Sequence, residues 1–149
     1  MTFKTDPADA LTRGTVFKAV ARLRFAEAEV LQHQKHLLGA VYLVGYAIEC
    51  HLKYAVCATN EFLLLPSFAC LSDGKLRKLY THEWDVLVAA AQLRPSFKAE
   101  PRMEAIYTSL ALTWAPSLRY RTKPFEESEG RRLYRSLAAL YQFLKISQP

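Results

Sequence analysis

The stretch Gly39-Ala40-Val41-Tyr42-Leu43-Val44-Gly45-Tyr46-Ala47-Ile48-Glu49-Cys50-His51-Leu52-Lys53 decides the reading of this sequence. It is far too apolar for a surface helix, yet it is broken by charge. Tyr42, Tyr46, Glu49 and Lys53 follow at i, i+4, i+7 and i+11, so on a helix they share one lane. The remaining positions are almost all aliphatic or small, and Gly45 permits close approach of a neighbour. The apolar run from Leu37 to Ala58 is the one candidate for a membrane span. Glu49, His51 and Lys53 inside it argue against lipid, and a buried core helix from about Ala40 to Thr59 is expected. A buried carboxylate needs a partner. Lys53 is the nearest, and an arginine from another helix, Arg24 or Arg119, is expected to join.

Outward from that helix the pattern stays helical. A long helix is expected from about Thr15 to His36, with an apolar arc of Val16, Phe17, Val20, Ala21, Leu23, Ala28, Val30 and Leu31. Arg24 and Glu27 fall inside the arc, either as an i, i+3 pair at the core edge or as members of the polar cluster with Tyr42, Tyr46, Glu49 and Lys53. Residues 1–12 read as frayed. Residues 60–80, with Pro66, Ser72, Asp73 and Gly74, read as a long irregular connection. Thr81 can cap a helix that carries Glu83 and Asp85 in its first turn, buries Trp84, Leu87, Val88 and Ala91, and stops before Pro95. Pro101 opens another helix with Met103, Ile106, Tyr107 and Leu110 on one face. After a stretch bounded by Trp114, Pro116 and Pro124, the last helix starts at Glu126, Glu127 and Glu129 and carries Leu133, Leu137, Leu140, Tyr141 and Leu144 in line. No segment alternates with period two. The expectation is one all-α domain over residues 1–149, an up-and-down bundle of four to five helices.

Composition narrows the function only loosely. The chain has 149 residues, 51% of them apolar and 23% charged, as one globular domain does. Its net charge of +6 is compatible with RNA, a nucleotide or an acidic protein and demands none of them. Cys50, Cys57 and Cys70 lack CxxC spacing, so neither a metal nor a cofactor is expected, and a reducing cytoplasm without membrane attachment is.

The Gly39–Lys53 string resembles the second-helix signature of the HEPN family (higher eukaryotes and prokaryotes nucleotide-binding), commonly A-x-Y-L-x-G-Y-A-x-E-x-x-L-K. His82-Glu83 resembles the histidine–acidic pair that opens a later helix in that family, and Arg119-Tyr120 its Arg-Tyr pair before the last helix. The resemblance runs from about residue 13 to 145. It implies a compact helical bundle that tends to dimerise, and Trp114 to Tyr120 is the segment expected at the interface. It also implies one of three functions: metal-independent endoribonuclease in toxin–antitoxin or phage-defence systems, non-catalytic RNA- or nucleotide-binding module, or partner subunit of a small nucleotidyltransferase. The ribonucleases carry Arg-x4-6-His near the last helix, where arginine stabilises phosphate charge and histidine moves protons during attack by the 2′-OH. Here no histidine follows His82. One literal match, Arg77 to His82, lies before the third helix.

Ligand binding is therefore expected at Arg119, Tyr120, Arg121 and Lys123, because guanidinium groups bind phosphate and tyrosine stacks on a base. The catalytic candidates are Arg119, Arg121 and Lys123, with Lys123, Tyr120 or His82 as the substitute proton carrier and Arg77–His82 as a second pair. A non-catalytic binding module ranks first.

Overall fold

The computed structural model describes residues 11–149. Expected fraying at residues 1–10 lies outside this range. Leu11 and Thr12 fall within it, and Thr12 is tied at both ends: its N–H donates to the Tyr80 hydroxyl at 2.8 Å and its carbonyl accepts from Leu65 N–H at 2.9 Å.

The described residues are mostly helical. Helix α1 spans Gly14–His33 and α2 spans Leu37–Asn60. The first ends before His36 because Lys35 takes a left-handed conformation (φ 64°) that turns the chain back. The two helices then lie against each other as a hairpin joined by three residues. Expected core residues of α2, among them Val41, Val44, Ile48 and Leu52, are all buried, which makes α2 the centre of the molecule. No helix of the described residues is long and apolar enough to cross a membrane.

The connection after α2 is less irregular than expected. Strands β1 (Phe68–Cys70) and β2 (Leu76–Lys78) form an antiparallel hairpin in which Phe68 faces Lys78 and Cys70 faces Leu76. The turn is built by Asp73, which accepts from Lys75 N–H at 2.9 Å, and by Gly74 at φ 77°. Three-residue strands are too short to show alternation, so the turn residues were the only trace. Leu65 and Leu79, fully buried at either end, pin the hairpin to the core.

Helix α3 (Trp84–Ala90) ends short of Pro95, which instead sits in the first turn of α4 (Arg94–Lys98). Helix α5 (Pro101–Thr113) opens at its proline as expected and is followed by a 3-10 turn, Pro116–Tyr120, and by α6 (Glu127–Ser147). Six helices thus replace the expected four to five among the described residues, the extra ones being short. Gly130 of α6 packs on Leu37 at the start of α2, Tyr141 meets His51 farther along, and Gln148 reaches Thr59 near the end. Helix α6 therefore runs parallel to α2, which the long excursion from residue 61 to 126 makes possible.

Candidate functional site

The polar lane of α2 is built around Glu49, which is 1% exposed. Lys53, one turn on, donates to its Oε1 at 2.7 Å. The second oxygen is taken by His82, whose Nδ1–H donates to Oε2 at 2.8 Å. The expected arginine is therefore absent from the carboxylate, and a histidine just before α3 stands in its place. Thr81 sets that approach by accepting from Glu83 N–H at 3.1 Å, which fixes the turn leading into α3.

The site's two cations differ in access. Lys53 is buried, with its ammonium 5.7 Å from the Phe17 ring centre and 6.0 Å from that of Tyr80. Two aromatic faces and a carboxylate together replace its water. Tyr80 is itself fixed, donating its hydroxyl proton to Leu65 O at 2.8 Å. His82 has a side chain 59% exposed. With Nδ1 committed to Glu49, its Nε2 is the ring nitrogen left for a ligand.

Up the lane lie aromatic groups. Tyr46 precedes Glu49 by about one turn, and its hydroxyl, pushed up to about 12 by burial and then by Cys50 and Glu49, stays protonated. Burial likewise pushes the Cys50 thiol up to about 11. Tyr42 stacks on Tyr46 and on Trp114, and Trp114 on Trp84, in a row with centroid spacings of 6.5, 6.2 and 5.3 Å. Gly45 makes this row possible, since a Cβ there would lie 1.9 Å from Trp114 Nε1. Its close approach is thus to an indole.

Beside Tyr42 of this row lies Arg119. Its guanidinium lies 4.8 Å from the Tyr120 ring centre, and the hydroxyls of Tyr120 and then Tyr42 raise its pKa above the usual value. Arg121 turns elsewhere. Its Nε donates to Lys123 O at 2.8 Å and its guanidinium lies 4.2 Å from the Phe125 ring centre. Arg119, Tyr120, Arg121 and Lys123 are all exposed. Among the described residues no carboxylate lies within 4.0 Å of these three cations. Of the acidic residues at the start of α6, Glu127 is engaged elsewhere, by Arg131 at 2.9 Å and by Lys35 at 3.7 Å.

Of the two arrangements expected for Arg24 and Glu27, the i, i+3 pair at the core edge is the one that forms, at 2.6 Å with side chains 34% and 40% exposed; membership of the Glu49 cluster does not hold, since neither touches Glu49. Arg77 pairs with Asp73 at 3.4 Å, while His82 is held by Glu49, so the literal Arg-x4-His pair does not act as a unit. His51, on the far side of α2, is a core histidine bonded through Nε2 to Gln148 O at 2.8 Å. Among the described residues no group of three or more histidine, cysteine or carboxylate side chains could hold a metal ion. Trp114 is sealed inside the protomer at 8% exposure, which leaves Ser117, Arg119 and Tyr120 as the outward part of its segment.

Compared with family models, curated proteins and solved structures, the chain matches none.

Proposed function

We propose that this protein is a HEPN-like module that binds RNA or a nucleotide through its phosphates, with Arg119, Arg121 and Lys123 as the phosphate contacts and Tyr120 as the base platform. The observation that carries the reading is the set of three exposed cations without a carboxylate beside an exposed tyrosine. A cation already paired gains little from phosphate; an unpaired one releases the counterions that phosphate holds. The Arg119 guanidinium lies 4.8 Å from the Tyr120 ring centre, so the phosphate contact and the base platform are adjacent.

A second reading is metal-independent RNA cleavage. The observation favouring it is the Glu49–His82 bond, which orients an exposed imidazole from below as an acid–base group is oriented. Arg119 would then stabilise the phosphate charge while His82 Nε2 takes the proton of the 2′-OH that attacks phosphorus; the P–O5′ bond breaks, and the same imidazole returns the proton to the departing 5′-oxygen, leaving a 2′,3′-cyclic phosphate. Labelled RNA incubated with the protein in EDTA separates the two. Retention without cleavage is the expected result. Cleavage that His82→Ala abolishes would replace the first reading by the second.

A further inference from the structure

Helix α1 is apolar on two faces. One faces the core through Gly14, Ala21 and Ala28. On the other, Val16, Leu23 and Val30 recur every seventh residue and are 45%, 52% and 56% exposed. Ala19 and Ala26, each three residues after Val16 or Leu23, are exposed as well. At about 100° per residue these five occupy an arc of roughly 80°, turned away from the core. That is the narrow seam with which one helix packs along another.

We propose that the outer face of α1 is a self-association seam, on which α1 of a second copy lies antiparallel. Size and charge both select this arrangement. With Leu23 set against the partner's Ala26, Val30 falls against the partner's Ala19, so large meets small in each of these layers. A parallel pairing would set Leu23 on its own copy and Ala26 on its own, alternating crowded layers with empty ones. Arg22 and Glu29 line one flank of the seam. Both are exposed, and among the described residues neither has an ion-pair partner within 4.0 Å. In the antiparallel register Arg22 lies opposite the partner's Glu29, and the two-fold symmetry makes this pair twice. A parallel pair would instead need Arg22 against the partner's Glu27, which Arg24 already holds at 2.6 Å. The rim pairs set direction, and the apolar seam supplies the association.

This interface does not depend on the Arg119 loop or on its ligand. It is tested by sedimentation equilibrium of the full chain at high micromolar concentration, with circular dichroism to confirm folding. The wild type is expected to be a dimer. Leu23→Glu, at an exposed position, is expected to give a folded monomer. Arg22→Glu and Glu29→Arg are each expected to weaken the dimer about tenfold or more by setting like charges opposite, and Arg22→Glu/Glu29→Arg to restore it. A monomeric wild type, a dimer that survives Leu23→Glu, or a folded double variant that stays weak overturns the proposal. Rescue by Arg22→Glu/Glu27→Arg instead also overturns it, since that marks a parallel pair.

Discussion

His82 Nδ1 lies 2.8 Å from Glu49 Oε2, joining a surface ring to the most buried carboxylate among the described residues across 33 residues of sequence. Lys53 holds the other oxygen at 2.7 Å. Glu49 is thus satisfied on one side by a buried cation and on the other by a group that water and ligands reach. The bond carries order from the core of α2 to the turn before α3, and it fixes which nitrogen of His82 faces outward.

Glu49 therefore matters first for stability. Glu49→Ala strands the ammonium of Lys53 among Phe17 and Tyr80, and a loss of about 3–5 kcal/mol is expected for an uncompensated buried charge. Removing both charges, as Glu49→Leu with Lys53→Met, should regain most of it. Urea denaturation followed by circular dichroism measures both, and equal losses in the single and double variants would contradict the pairing.

Gly45 is the second fixed point. A methyl group at this position would occupy space held by Trp114, so Gly45→Ala must displace the indole from Tyr42 and Trp84. Overpacking of this kind costs about 1–3 kcal/mol. The expected outcome is a lower unfolding midpoint together with a changed tryptophan emission maximum. An unchanged spectrum and midpoint would show that the row yields easily.

Much of this was legible in the sequence. The lane Tyr42, Tyr46, Glu49, Lys53 follows from helical spacing alone, and the Glu49–Lys53 pair from the cost of a bare buried carboxylate. His82 as the third member was not legible, because an ion pair across a 33-residue gap depends on how the hairpin of residues 68–78 folds back. The short strands fell below the length at which alternation shows. The Arg24–Glu27 pair at the core edge follows from i, i+3 spacing alone, whereas the geometry that keeps it away from Glu49 does not. Part of the wide apolar arc of α1, Val16, Leu23 and Val30, is exposed, and periodicity cannot say which of two apolar faces is buried.

His51 makes stability depend on pH. Burial, the largest influence, holds its imidazole below the ordinary histidine value even though the Gln148 and Leu144 carbonyls oppose the shift. The unfolded chain therefore takes up a proton on acidification before the folded one does. The contribution of His51 is complete above the unfolded value, near about 6.5, and is lost as pH falls from there through the folded value. Thermal unfolding from neutral pH to pH about 5 should show a falling midpoint, and His51→Gln should flatten that fall. A midpoint that rises over this interval would contradict the burial argument.

The most direct test of phosphate recognition is the salt dependence of binding to a short labelled single-stranded RNA, followed by fluorescence anisotropy. Each phosphate contact contributes about 0.7 to the slope of log affinity against log salt. Replacing Arg119, Arg121 and Lys123 together by alanine should lower that slope by about 2 and weaken binding, and Arg119→Ala alone should lower it by about 0.7. All three side chains are exposed, so folding should be unaffected. If the triple variant bound RNA with the wild-type slope and affinity, the Arg119–Lys123 loop would not be the site.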